Sequence, residues 1–170
     1  MRTQTDNILA LDPGMRDLGY AVLSRKGLID HGVLALRHTA ASERLSRVRD
    51  AVERWIRADH PDVIVIEHIP RRPLDSLGGL PALGRLLRRI ARANDIEVVT
   101  YSARTVRRTL LNHGWAGKLE VAESLTARLP QLRVYRKQTR KWQDNHWGNM
   151  FDAIALALYH QVTQPPSRGR

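Results

Sequence analysis

Three acidic residues stand where a negative charge is expensive to bury. Asp12 follows the apolar run 8–11, Glu67 follows the apolar run 63–66, and Asp152 lies in the first turn of an alanine-rich predicted helix. Carboxylates in apolar surroundings must be protonated, paired or bound to a cation. The chain has no cysteine, so any metal would be held by oxygen or imidazole ligands. Together the acids favour a hard divalent ion such as Mg²⁺.

Each acid also has an ordinary explanation. Asp12 could be a turn residue before Pro-Gly, and Glu67 could pair with Arg71 and Arg72. Asp152 could interact with a helix dipole. Any one of these explanations is reasonable, but three such acids in one chain favour metal chemistry.

The charge balance indicates a polyanionic partner. Lys and Arg number 28 against 17 Asp and Glu, which gives a net charge of +11. A coding bias towards arginine would explain Arg in place of Lys but not this surplus. A basic surplus of this kind is typical of proteins that bind nucleic acid. The absence of cysteine also excludes disulfides, thiolate nucleophiles and thiolate zinc sites.

The elements that must position the acids alternate between strands and helices. Apolar runs and turn residues predict an antiparallel three-strand meander, then a strand buried on both faces, a helix and a parallel strand. The predicted class is α/β, with a five-stranded mixed sheet, three strands antiparallel and two parallel, flanked by helices. The predicted strands are 7–11, 18–24, 28–36, 62–67 and 96–101, and the helices are 42–58, 80–94, 102–112, 118–129 and 148–161.

We expect a single domain over residues 1–162 and a short basic tail over 163–170. No run approaches the roughly 20 apolar residues that cross a bilayer, and the first residues lack a signal-peptide pattern. These features predict a protein of the cytoplasm, an organelle or the nucleoid, without a membrane partner.

Three strings carry a family resemblance. They are ILALDPGMRDLGYAVL, VIVIEHI and NMFDAIALALYH, which follow one another in this order between Ile8 and His160. The set resembles the RuvC Holliday-junction resolvases of the RNase H-like superfamily. The resemblance implies an RNase H-like fold, a homodimer, Mg²⁺-dependent hydrolysis of phosphodiester bonds and four-way DNA junctions as substrate. It leaves a branch-migration helicase open as a further partner, which the sequence itself does not identify.

The same resemblance implies a two-metal site. Asp12 would bridge two Mg²⁺ ions, while Glu67 and Asp152 would each complete one side, and Mn²⁺ would substitute for Mg²⁺. In such hydrolysis one ion lowers the pKa of the attacking water and the other stabilises the leaving oxygen. No protein nucleophile is then needed.

One ligand position departs from the family. An acid or a histidine is expected three residues before the last aspartate, and this chain has Asn149 there. An amide oxygen can bind Mg²⁺ but adds no charge, so metal affinity would be weaker or the amide would only position water. His146 and Asp144 are alternative ligands, and His146 could equally be an exposed loop residue.

Basic residues are expected to bind the DNA backbone. Segment 101–121 resembles the family's stretch before and into the penultimate helix, which implies contacts from Arg107 and Lys118. Arg71 and Arg72 could contact phosphate. Further candidates stand beside Arg107 or in segment 131–147: Arg108, Arg136, Lys137, Arg140 and Lys141.

Two loops also depart from the family. Family members open base pairs with an aromatic side chain after the Glu67 strand, and this chain offers only Ile69, Leu74 and Leu77 there. Segment 131–147 shows no period and interleaves aromatic with basic residues. It could stack on bases, or it could be a solvated loop anchored by its tryptophans.

The resulting hypothesis is a Mg²⁺-dependent endodeoxyribonuclease that makes paired symmetric nicks in four-way junctions during recombination and repair. One alternative is an RNase H-like nuclease that acts on other branched DNA or on RNA/DNA substrates. Another is a junction-binding protein with catalysis weakened by Asn149. The basic helix 80–94 is the candidate for dimer contact, although it could simply be a core helix with a basic outer face.

Overall fold

Five strands form one mixed sheet. The structure is a computed structural model that describes residues 7–69, 79–136 and 141–164, with side chains omitted for 141–145. The strand order is β3-β2-β1-β4-β5, with β1, β2 and β3 antiparallel and β1, β4 and β5 parallel. The predicted mixed sheet is confirmed. The strands are β1 (Ile8–Pro13), β2 (Asp17–Ser24), β3 (Gly27–Ala35), β4 (Val63–Glu67) and β5 (Glu97–Tyr101).

Six helices flank the sheet within the described part of the chain. No helix within the described residues is long and apolar enough to cross a membrane. A short 3-10 turn, Pro130–Leu132, precedes the fifth helix. The helices are α1 (Ala41–Asp59), α2 (Leu80–Ala93), α3 (Ala103–Leu111), α4 (Lys118–Arg128), α5 (Arg133–Arg136) and α6 (Lys141–Thr163).

The central strand β1 is buried on both faces because successive side chains point to opposite sides of a strand. Leu9 and Leu11 pack with α1 and α2, whereas Ile8 and Ala10 pack with α3, α4 and α6. This explains why β1 and β4 are continuous apolar runs rather than alternating ones. Two helical layers therefore hold the sheet edge at which Asp12 and Glu67 stand.

The last helix begins earlier than the sequence predicts. The prediction starts it at residue 148, but α6 starts at Lys141. The stretch 141–147 is rich in polar and basic residues and lacks a clear apolar period, so it gave no helical signal. Asp152 lies eleven residues inside α6, beyond the reach of the dipole of its first turn. The helix-dipole explanation of Asp152 is therefore wrong.

Candidate active site

Asp12 and Glu67 lie side by side at the carboxyl ends of two parallel strands. The register of β1 and β4 pairs Leu11 with Ile66, so the next residue on each strand is an acid. Asp12 is buried and Glu67 is partly exposed. Two carboxylates thus meet at one edge of the sheet, one of them opening towards solvent.

Helix α6 brings a third acid, Asp152, to this edge. Asp152 is buried and belongs to the stretch of α6 that packs against the sheet. Gly19 on β2 pairs with Asp12 across the sheet, and a Cβ at this position would overlap the backbone carbonyl of Asn149. Glycine is required for such a close approach of α6.

The three acids repel one another. Burial raises the pKa of Asp12 well above its ordinary value, and the charges of Glu67 and Asp152 raise it further. Burial, with the charge of Asp152, raises the pKa of Glu67 to about 7. A raised carboxylate pKa means that the ionised form lacks enough positive charge nearby.

Two side chains supply part of that charge. Arg107 Nη2 donates to Asp152 Oδ1 at 3.3 Å, and Lys118 Nζ lies 4.0 Å from Asp152 Oδ2. Both cations lower the pKa values of Asp12 and Glu67, but the effects of burial are larger. The acids therefore remain short of positive charge.

A divalent cation fits this deficit. The donors are carboxylate oxygens, the ligands that Mg²⁺ prefers. In the part of the chain that the structure describes, no group of three or more His, Asp or Glu side chains is arranged to hold one metal ion. The strand register nevertheless places the Asp12 and Glu67 carboxylates at neighbouring positions. The donor set and its charge fit divalent metal.

Asn149 lies between Asp152 and the start of β2, with its amide oriented by two partners. Its Nδ2 donates to the carbonyl oxygen of Asp17 at 2.9 Å. Its Oδ1 accepts from Lys118 Nζ at 3.2 Å. A donor group faces the carbonyl and an acceptor faces the ammonium, so the amide orientation is determined on both sides. The oxygen of Asn149 therefore points towards Lys118, which also approaches Asp152.

A further buried acid, Asp17, was missed by the sequence analysis. Arg37 donates from Nε and Nη2 to Asp17 Oδ2 at 3.1 and 2.7 Å. His146 Nδ1 lies 3.5 Å from Asp17 Oδ1, an oxygen that makes no hydrogen bond among the described residues. Asp17 and Arg37 line an open cavity of about 470 Å³ together with Lys118 and Asn149. A signal was available, because Asp17 is an acid directly before the apolar strand predicted over 18–24.

His146 belongs to α6 and is partly buried, so the exposed-loop explanation is wrong. Its observed partner is Asp17 rather than any of the three clustered acids. The structure therefore associates His146 with the Asp17 cluster.

The predicted DNA-binding residues occupy different environments. Arg107 and Lys118 contact Asp152, and Arg108 is exposed on α3. Arg136 donates to Glu123 Oε1 at 3.1 Å, so part of its charge is already paired. Four of the predicted DNA-binding residues lie outside the described residues: Arg71, Arg72, Lys137 and Arg140. For Lys141 the backbone is described but the side chain is not.

The loop substitutes Leu74 and Leu77 likewise lie outside the described residues, whereas Ile69 is partly buried. In segment 131–147, Tyr135 and Trp147 pack against each other with ring centroids 4.6 Å apart and also contact the core. The packing of these two rings agrees with the alternative in which aromatic residues anchor segment 131–147 to the core.

The sheet order, the flanking helices and the acids at the carboxyl ends of β1 and β4 define an RNase H-like fold. A family model described as crossover junction endodeoxyribonuclease RuvC matches residues 8–160. The chain therefore belongs to the RuvC family, and the resemblance inferred from the sequence is confirmed.

Individual relatives agree with this assignment. A crossover junction endodeoxyribonuclease RuvC from Sorangium cellulosum is 31% identical over 162 residues, covering 90% of this chain and 83% of the relative. That of Pseudoalteromonas atlantica is 29% identical over 163 residues, covering 92% and 87%. The structure of T. thermophilus RuvC in complex with Holliday junction substrate superposes with a TM-score of 0.71 at 21% identity. It covers 92% of this chain and 93% of that one, which supports the shared fold.

Proposed function

We propose that this chain hydrolyses phosphodiester bonds in four-way DNA junctions and makes paired symmetric nicks. It belongs to a family of crossover junction endodeoxyribonucleases. The observation that carries the proposal is the charge-deficient cluster of Asp12, Glu67 and Asp152. Such a cluster can approach a DNA phosphate only when a cation offsets its charge.

The three acids would hold two Mg²⁺ ions, and Mn²⁺ would replace them. When bound, such ions supply an activated water and stabilise the oxygen that leaves. Asp12 is the central residue because it lies beside Glu67 and its pKa responds to both other acids. Burial of Asp12 and Asp152 keeps bulk water away, which strengthens their electrostatic interactions.

Lys118 and Arg107 would bind the phosphate that is being cut. They are the cations nearest to Asp152, and Lys118 is half exposed. If Asp152 bound a cation, Arg107 and Lys118 would be available to donate to the non-bridging phosphate oxygens. Asn149 would orient Lys118 and could contribute a neutral oxygen to the metal site. His146 is the weaker candidate for a ligand.

The wider basic surface would hold the junction arms. The net charge of +11 supports phosphate contacts that are independent of sequence. Arg108 and Arg136 are the described members, and Arg71, Arg72, Lys137, Arg140 and Lys141 complete the predicted set. Such contacts position the DNA without selecting its sequence.

A homodimer would place two cutting sites on two equivalent strands of the junction. Helix α2 was the candidate contact, but its Leu83, Leu86, Leu87 and Ile90 are buried in the core of the same chain. Among the described residues its exposed arginines, Arg85, Arg88, Arg89 and Arg92, would be the ones to meet a second copy. The branch-migration helicase and the cytoplasmic location stay predictions.

A synthetic four-way junction with Mg²⁺ tests the proposal. The strands are labelled separately, and products from the wild type and from Asp12→Asn are compared at several ionic strengths. Paired nicks at symmetric positions, absent in Asp12→Asn, support it. Preferred cutting of flaps or RNA/DNA hybrids favours the broader nuclease. Tight binding without cutting, even with Mn²⁺, favours a junction-binding protein whose catalysis is weakened.

A further inference from the structure

Trp115 is the most exposed large hydrophobic side chain among the described residues. It lies between α3 and α4, and 77% of its surface is accessible. A large aromatic side chain gains most of its stabilisation from burial. Because the Trp115 indole is mostly exposed, it adds little of this stabilisation to the fold.

The loop nevertheless holds the indole in a defined place. The guanidinium of Arg104 lies over the Trp115 ring, 4.2 Å from the centroid. Gly114 packs on Arg104 so closely that a Cβ would lie 2.7 Å from Arg104 Cγ. The next residue, Ala116, is buried in the core. Trp115 is thus anchored on both sides and displayed outwards.

The display site adjoins the acid cluster on two sides. Arg104 lies one helical turn before Arg107, whose Nη2 is 3.3 Å from Asp152 Oδ1. Lys118 follows Trp115 by three residues, and its Nζ is 4.0 Å from Asp152 Oδ2. The exposed ring therefore lies in the loop between the two elements that carry Arg107 and Lys118, the cations that contact the acid cluster.

We propose that Trp115 stacks on an unstacked DNA base close to the strand that is cut. This inference rests on the proposed function, because it takes a branched DNA as the ligand. An aromatic ring combined with arginine is the arrangement that binds exposed bases beside a phosphate backbone. Intact duplex arms keep their bases stacked inside, whereas a crossover offers bases to an outside ring. The cationic surroundings favour DNA over a protein partner.

The test uses four-way junctions that carry 2-aminopurine at single positions next to the crossover, with Ca²⁺ in place of Mg²⁺ so that a divalent cation offsets the acids while cutting is suppressed. Trp115→Ala should weaken junction binding by about 5- to 50-fold and abolish the fluorescence change at one or more positions. Trp115→Phe should retain most of both signals. Binding to a linear duplex of the same arm sequence should change by less than about twofold, because its bases are already stacked.

Ile29→Ala is the matched control, since Ile29 is also an exposed hydrophobic residue, at 51%, but lies on the edge strand β3. It should bind junction and duplex like the wild type. Equal loss on junction and duplex, or no loss on either, overturns the inference. Unchanged DNA binding with loss of self-association or of a protein complex also overturns it.

The two proposals fail separately. If the wild type cuts junctions but Trp115→Ala binds them normally, the stacking role alone is wrong. If the wild type does not cut but the 2-aminopurine signal still depends on Trp115, the proposed function is wrong and base stacking stands.

Discussion

Two neighbouring regions hold buried carboxylates in opposite ways. Asp17 is 4% exposed and receives two hydrogen bonds from Arg37. Asp12 is 7% exposed, and its pKa is raised by burial and by two neighbouring acids. Asp17 thus has a cation from its own chain, whereas Asp12 lies among like charges. We infer from this difference that Asp17 serves the fold and that Asp12 is left for an external cation.

The largest expected effect is on cutting. Asp12→Asn should lower the rate of junction cleavage by about 1000-fold or more, because the central ligand loses its charge. Junction affinity should stay within about threefold, since phosphate contacts come from basic residues. Labelled-junction cleavage and binding titrations measure the two quantities. A variant that cuts at the wild-type rate would remove Asp12 from the site.

The same substitution at the two aspartates should change stability in opposite directions. In EDTA at pH 8, Asp17→Asn should lower Tm by about 3 to 6 °C, because Arg37 loses its charged partner. Asp12→Asn should raise Tm, because a repulsion is removed. Thermal unfolding of both variants gives the comparison. Two shifts of the same sign would contradict the distinction between the regions.

The stability effect of Glu67 should depend on pH, which distinguishes the acid cluster from the paired Asp17. The folded state raises the pKa of Glu67 from 4.5 to about 7, so as pH rises between these values the unfolded state releases its proton first and stability falls. Without metal, Glu67→Gln should therefore gain Tm over the wild type across this window, reaching roughly 3 to 6 °C by pH 8. Below pH 4.5 the gain should vanish. A gain that is constant with pH would point to packing instead.

The smallest expected effect is at Asn149. Asn149→Asp places a carboxylate oxygen against the Asp17 carbonyl, where the amide donated at 2.9 Å. Tm in EDTA should fall by about 2 to 4 °C, since one hydrogen bond is lost. The Mg²⁺ concentration for half-maximal cutting should fall as well, because the site gains a charge. An unchanged Mg²⁺ midpoint would mean that residue 149 positions Lys118 and does not touch metal.

The sequence predicted the sheet and the cluster of acids because both signals are local. Apolar runs marked β1 and β4, and Asp12 and Glu67 each stood directly after one of these runs. Parallel pairing then brings the two strand ends to the same edge. Asp152 was singled out by its position in an alanine-rich predicted helix, and the family resemblance supplied the two-metal chemistry expected of the three acids.

What the sequence missed depends on contacts between distant residues. Arg37 is 20 residues from Asp17, and the Asn149 amide reaches the Asp17 carbonyl from 132 residues away. Neither contact leaves a trace in local spacing. The start of α6 was missed because residues 141–147 lack an apolar period. Helix propensity was then the remaining local signal, and it is too weak to mark a helix start by itself. Trp115 gave no signal because exposure depends on the whole fold.

At Gly19, a contact between main-chain atoms sets the width of the candidate catalytic cleft. Gly19 pairs with Asp12 across the sheet, and the backbone of α6 rests directly on it at Asn149. The distance between the acids on β1 and β4 and the acid on α6 is consequently set by the contact of the β2 backbone at Gly19 with the α6 backbone at Asn149. No side chain that could change its rotamer lies in this contact. The cleft should hold its width while the surrounding loops adapt to differently shaped DNA. A methyl group at residue 19 would widen it without altering a single ligand.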